Sequence, residues 1–253
     1  MKKLNLRDIL KSKQAKLQML TCYDFQTAQL LNELELDMIL VGDSLGNVVL
    51  GYETTVEVTL TEMEIFGKAV RRGAPDKFLI MDMPFGSYST IAQGIQSATK
   101  LFQSTKCEAI KLEGAFPYQL KLIKRLTETG IPVMGHIGLT PQSVHQQGGY
   151  FTHGKTEDSA ARLMREAREL EAAGAFSIVL ECVEAKLATT ISQSLSIPTI
   201  GIGSGTETDG QVLVINDLLK MGTRTPPKFC PPIADFYQMK KDLLTKYLRD
   251  QRK

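Results

Sequence analysis

The chain has 253 residues, 43% hydrophobic and 23% charged, which is enough apolar material for one large core or two smaller ones. Thirty basic against 28 acidic side chains leave a net charge of +2, and the basic residues fall in short groups such as Arg71-Arg72, so no nucleic-acid partner is implied. No apolar run nears the ~20 residues of a bilayer-spanning helix, and the N-terminal Met-Lys-Lys-Leu-Asn-Leu-Arg-Asp has charge with no apolar segment behind it; the expectation is a soluble, cytoplasmic protein that engages no membrane.

The predicted elements alternate along the chain. Strand Leu17–Cys22 precedes helix Phe25–Leu36, strand Met38–Val41 precedes helix Glu62–Arg72, and strand Phe78–Met81 precedes helix Ile91–Ser104. Ala109–Leu112 and Tyr118–Thr129 continue the pattern, followed by strand Val133–His136, a long polar loop over 138–156, and helix Ser159–Ala173. Strand Ser177–Leu180, helix Glu184–Leu195 and strands Thr199–Ile202 and Val212–Ile215 complete it. Strands that read as unbroken apolar runs are buried on both faces, as in a parallel sheet covered by helices. Eight of them alternating with helices in this length is the count of a (β/α)8 barrel, with a doubly wound open sheet as the rival. No Pro/Ser-rich linker interrupts the pattern, so one domain is expected over residues 1–253. Its end, from about 222, is a proline-rich arm, with four prolines in Arg224–Pro232, and a final helix Ile233–Leu248.

The polar residues fall at the strand ends. Strand two runs into Gly42-Asp43-Ser44, strand three into Asp82-Met83-Pro84, and strand four through Lys111 and Glu113. Strand five ends at Gly135-His136, strand six at Glu181-Cys182, and strand seven leads into Gly201-Ile202-Gly203-Ser204-Gly205. In a β/α barrel the carboxyl ends converge on one mouth, where the chemistry sits. Each residue also has a structural reading: Asp43 and Asp82 as turn formers, Lys111 and Glu113 as a buried ion pair, His136 as a core histidine. Glu181 has the fewest such explanations. His145 and His153 read as loop residues rather than ligands. The glycines from Gly201 resemble a dinucleotide fingerprint, but the sixth position is Thr206 and the segment lies late in the chain; they form a ligand-approaching loop or a tight turn.

Asp43, Asp82 and Glu113 are hard oxygen donors suited to Mg²⁺. The four cysteines, Cys22, Cys107, Cys182 and Cys230, are widely spaced, which with three histidines disfavours zinc and suits reduced thiols. A 2-oxo acid can offer Mg²⁺ two oxygens, and the ion then stabilises an enolate as a Lewis acid. Lys111 would add positive charge, amides near Ser44 could hold the carboxylate, and Glu181 could act as base. The reaction class is proton abstraction α to a carbonyl, followed by attack on an electrophile.

Val41-Gly42-Asp43-Ser44-Leu45-Gly46, Asp82-Met83-Pro84-Phe85, Ile110-Lys111-Leu112-Glu113-Gly114 and Leu180-Glu181-Cys182 carry a family resemblance, as does the specific run Gly135-His136-Ile137-Gly138-Leu139-Thr140-Pro141-Gln142-Ser143. From about Leu20 to Phe229 the chain resembles the ketopantoate (3-methyl-2-oxobutanoate) hydroxymethyltransferase family. The resemblance implies a single-domain (β/α)8 TIM barrel of the phosphoenolpyruvate/pyruvate type, with Mg²⁺ around Asp43 and Asp82 and Glu113 close by. It implies a 2-oxo acid bound through Asp43, Ser44, Asp82 and Lys111, with Glu181 as proton acceptor and His136 lining the site. The implied one-carbon donor is 5,10-methylenetetrahydrofolate, and the product, 2-dehydropantoate, feeds pantothenate and coenzyme A synthesis. It further implies a homo-oligomer, a decamer assembled through the C-terminal arm. The alternatives are a Mg²⁺-dependent 2-oxo-acid lyase or mutase on the same barrel, and a non-catalytic barrel.

Overall fold

The computed structural model describes residues 3–13 and 15–252. Eight parallel strands form a closed barrel in sequential order: β1 (Leu17–Thr21), β2 (Met38–Val41), β3 (Phe78–Asp82), β4 (Ala109–Glu113), β5 (Val133–Gly138), β6 (Ser177–Glu181), β7 (Thr199–Ile202) and β8 (Gly210–Leu213). The sequence placed the last strand at Val212–Ile215, and the structure moves it two residues back. A Cβ on Gly210 would stand 2.6 Å from the Leu17 carbonyl oxygen, so pairing with β1 begins at the residue without a side chain, whereas Ile215 starts a helix.

Strand periodicity explains both the core and the site. Phe78 and Ile80, then Ala109, Met134, Val179 and Ile200, share a cluster with Leu17, Met19, Met38, Leu40 and Val212. Side chains two apart on a strand point the same way. The interior-facing series therefore runs Phe78–Ile80–Asp82, Ala109–Lys111–Glu113, Met134–His136 and Val179–Glu181. Lower layers of the barrel are apolar, and the layer at the carboxyl ends is charged.

Helix α1 (Leu6–Lys11) went unread in the sequence, though its capping box was there. Asn5 accepts from the Arg7 and Asp8 amides, and Asp8 accepts from the Asn5 amide. Its fully buried Ile9, with Leu4 and Leu6, packs against the interior cluster. Around the barrel run α2 (Phe25–Glu33), α3 (Leu60–Gly73), α4 (Ile91–Thr105), α5 (Pro117–Glu128), α6 (Val144–Gln147), α7 (Glu157–Ala172) and α8 (Ala185–Ser194). Helix α2 stops three residues short of the expected Leu36. Buried Lys77 donates to the carbonyls of Leu34 and Leu36, turning the chain into β2.

By compactness the chain divides into Met1–Val212 and Leu213–Lys253. Within the second unit, α9 (Ile215–Leu218) is tied to the segment before the last helix by bonds from the Ile233 and Phe236 amides to the Leu218 and Leu219 carbonyls. Asp235 caps α10 (Phe236–Asp250) by accepting from the Gln238 amide, and pairs with Lys220. Among the described residues, no helix is long and apolar enough to cross a membrane.

Candidate active site

Barrel register brings the strand-end residues into one buried group. Asp82 and Lys111 are partners across β3 and β4, and Glu113 and His136 across β4 and β5. Lys111 Nζ donates to Asp82 Oδ2 at 2.6 Å and lies 3.9 Å from Glu113 Oε1. The Asp43 amide faces the same Asp82 oxygen at 3.5 Å. His136 sits between two carboxylates, with Nδ1 3.4 Å from Glu113 Oε1 and Nε2 3.3 Å from Glu181 Oε2. Neither ring nitrogen has a hydrogen bond of good geometry, so these are charge contacts. Ser44 Oγ is 2.7 Å from the Tyr23 hydroxyl. Asp43, Asp82, Lys111, Glu113 and His136 are all buried, while the Glu181 side chain keeps 17% of its surface open.

Electrostatics follow from this crowding. Burial, then the charges of Asp82 and Glu113, push the Asp43 carboxyl well above the ordinary range, against the pull of Lys111 and Gln142. Burial also raises Asp82, opposed first by Lys111. For Lys111, burial opposes the charge, but Asp82, Glu113 and Asp43 outweigh it and raise the ammonium's pKa. Burial would likewise raise Glu113, yet His136 and Lys111 leave it lowered. Burial and the Lys111 charge disfavour imidazolium at His136, but contacts with Glu113 and Glu181 outweigh them and lift it to about 9.

Four carboxylates thus face two cationic side chains in a largely dry place, and a further cation would relieve the excess. Asp43 and Asp82 lie side by side, and Asp82 Oδ1 is buried without a partner. Glu113 is engaged elsewhere: Oε2 accepts from the Gln142 amide at 3.1 Å, and Oε1 faces His136. Among the described residues, no group of three or more His, Cys, Asp or Glu is gathered closely enough to hold a metal ion by itself. Mg²⁺ commonly takes only one or two carboxylates and completes its octahedron with water and substrate oxygens, so the Asp43–Asp82 pair fits it.

Gln142 lies within the run Gly135–Ser143, and nothing in the sequence marks it, Tyr88 or Tyr23 as a site residue. Each comes from a loop beyond a strand, where period-two spacing no longer says which way a side chain points. The glycine loop after β7 serves as a turn. Gly203 and Gly205 have φ of 62° and 79°, and Ser204 braces the end of β6, donating to the Leu180 carbonyl at 2.7 Å and accepting from the Val183 amide. His145 is exposed. His153 is buried, and its backbone joins the long loop to the Cys182 carbonyl and the Glu184 amide. Beside the charged group opens a cavity of about 540 Å³, lined by Gly114, Gly138, Thr140, Phe151, His153 and Arg162 among others.

The chain matches the sequence model of the ketopantoate hydroxymethyltransferase family over residues 3–253. It is 49% identical over 233 residues to 3-methyl-2-oxobutanoate hydroxymethyltransferase of Leptospira interrogans, covering 92% of this chain and 88% of that protein. To the protein of the same name from Thermotoga maritima it is 48% identical over 252 residues, covering 99% and 93%. Among solved structures, phosphoenolpyruvate phosphomutase of Streptomyces platensis subsp. rosaceus superposes with a TM-score of 0.68 at 12% identity, covering 98% of this chain and 88% of that one. A 2,3-dimethylmalate lyase of the PEP mutase/isocitrate lyase superfamily does so with 0.59 at 18%, covering 82% and 79%. At such identities these two likenesses show the barrel type.

Proposed function

Because the chain belongs to the ketopantoate hydroxymethyltransferase family, we propose that it transfers a hydroxymethyl group from 5,10-methylenetetrahydrofolate to 3-methyl-2-oxobutanoate, a step of pantothenate synthesis in the cytoplasm. One observation carries this reading. The acidic Asp43–Asp82 pair with Lys111 lies on one side of His136, and a separate, partly open carboxylate, Glu181, lies on the other.

Asp43 and Asp82 would hold Mg²⁺, with Glu113 behind them, and the bound ion supplies Lewis acidity toward the substrate carbonyl. Lys111 Nζ offers positive charge to the oxygen that gains electron density when C3 loses its proton. Ser44, oriented by Tyr23, binds the substrate carboxylate. Glu181 accepts the C3 proton. Buried His136 holds that carboxylate by charge through its Nε2 side. Water adds to the ring-opened iminium of the folate, and cleavage of the remaining C–N bond, with a proton passing to that nitrogen, releases tetrahydrofolate and frees the carbon at the formaldehyde level. The carbanion equivalent bonds to that carbon, whose oxygen takes up a proton and becomes the hydroxyl of 2-dehydropantoate.

The test is NMR of the C3 proton of 3-methyl-2-oxobutanoate in heavy water with Mg²⁺. Wild-type protein should exchange it, Glu181→Gln should lose exchange by at least about 100-fold, and 2-dehydropantoate should form only when the folate is added. Exchange without product would favour an oxo-acid lyase or mutase. Absence of exchange in folded, Mg²⁺-supplied protein, with or without folate, would favour a non-catalytic barrel.

A further inference from the structure

Gln142 follows β5 on a short helical turn, Pro141–Ser143, and is 5% exposed. Every polar position of its side chain is used. Nε2 donates to Asp43 Oδ2 at 2.8 Å and to the Met83 carbonyl at 2.9 Å, and Oε1 accepts from the Tyr88 hydroxyl at 2.6 Å. Its backbone amide adds the bond to Glu113 Oε2. The side chain reads in one direction only: exchanging its nitrogen and oxygen would set an acceptor against two acceptors. The Met83 carbonyl, which can only accept, makes that choice firm, and in that orientation the buried Tyr88 hydroxyl donates to Oε1.

Two consequences follow. A residue from the β5 end ties together the segments that close β2, β3 and β4, so that Asp43, Met83 and Glu113 cannot shift independently. The amide also occupies Asp43 Oδ2, turning Oδ1 to whatever the site binds. Lys111 does the equivalent for Asp82, taking Oδ2 while Oδ1 stays without a partner. Each acidic residue of the pair thus has one oxygen held by a protein donor.

We infer that Gln142, oriented by Tyr88, is a positioning residue that sets which oxygen of Asp43 faces the bound cation and 2-oxo acid. This rests on the cation and oxo-acid site proposed above. Partners that orient a ligating carboxylate usually matter about 10- to 100-fold in metal affinity or activity.

The test compares wild type with Gln142→Met, which keeps the length and removes the amide, with Tyr88→Phe, which removes one oxygen, and with the double variant. Two quantities are read: the Mg²⁺ dissociation constant by calorimetry without substrate, and kcat and KM for C3 proton exchange at saturating Mg²⁺. Gln142→Met should weaken Mg²⁺ by about 10- to 100-fold and lower kcat more than it raises KM. Tyr88→Phe should move both readings the same way by less, and add nothing in the Gln142→Met background. A simple packing role would lower the melting temperature while leaving Mg²⁺ affinity alone, and that result overturns the inference, as do additive effects of the two changes. Should Gln142→Met fail to fold, Tyr88→Phe decides: unchanged Mg²⁺ affinity and kcat overturn it. A wild type that neither binds Mg²⁺ nor exchanges the proton overturns the proposed function, and this assignment with it. A wild type that does both, matched by its variants, overturns the assignment alone.

Discussion

His136 shows how a single side chain joins two halves of the charged layer. Its ring lies between Glu113 and Glu181, and its pKa stands at about 9 against an ordinary 6.5. A group whose folded pKa is raised stabilises the fold fully below its unfolded pKa, and that stabilisation disappears as pH rises through the folded value. Wild-type protein in a chelator should therefore lose stability relative to His136→Gln between about pH 6.5 and pH 9, measured by urea unfolding at each pH. A stability difference that stays constant over that window would contradict the charged sandwich. At this scale Asp43, Asp82, Lys111, Glu113, His136 and Glu181 were all legible, because strand ends announce themselves by an apolar run that stops at a polar residue. Gln142 and Tyr88 were not, because their directions depend on loop paths.

Among the elements, the junction of β5 and β6 controls where Glu181 stands. Gly138 has φ of 95°, and a Cβ there would lie 2.2 Å from the Glu181 carbonyl oxygen, which accepts from the Leu139 amide at 2.8 Å. Cys182, next in the chain, has a φ of 49° that non-glycine residues seldom adopt. Gly138→Ala combines backbone strain with a collision against β6, and should cost about 1–3 kcal/mol from the conformation alone. C3 proton exchange should fall further than stability explains, because the strand carrying the proposed base must move; urea unfolding and exchange kinetics on the same preparation check both. The element boundaries that sequence patterning missed share a cause. Helix α2 ends where Lys77 captures two carbonyls, and β8 starts where a glycine permits close approach. Both are contacts between residues distant in the chain, which local periodicity does not contain.

For the molecule as a whole, the last helix is the feature that asks for company. Leu243, Leu244, Tyr247 and Leu248 of α10 are 57–67% exposed, a concentration of apolar surface that commonly marks an interaction site. We propose that it is covered by other copies of this chain in a homo-oligomer, the decamer that the family resemblance suggests. Sedimentation velocity should show an assembly for wild type, and the double change Leu243→Asp with Leu244→Asp should give a smaller species. A monomeric wild type would count against the proposal.

The alternation of strands with helices and the polar residues at the strand ends were determined by the sequence itself, since apolar runs, amphipathic stretches and period-two spacing are properties of neighbouring residues; closure of the eight strands in sequential order, rather than an open sheet, was decided by the tertiary structure. Family membership rested on contiguous segments, which are also local. Tertiary structure decided what each charge faces: that His136 sits between two carboxylates, that Glu113 turns to His136 and the Gln142 backbone amide, and that the Gln142 side chain, from the turn after β5, holds Asp43. It likewise decided that buried Asp209 serves the framework, with Lys13, Ser192 and Thr199 donating to it. Those pairings arise where closing the barrel brings distant strand ends within hydrogen-bond reach, and no spacing along the chain records them.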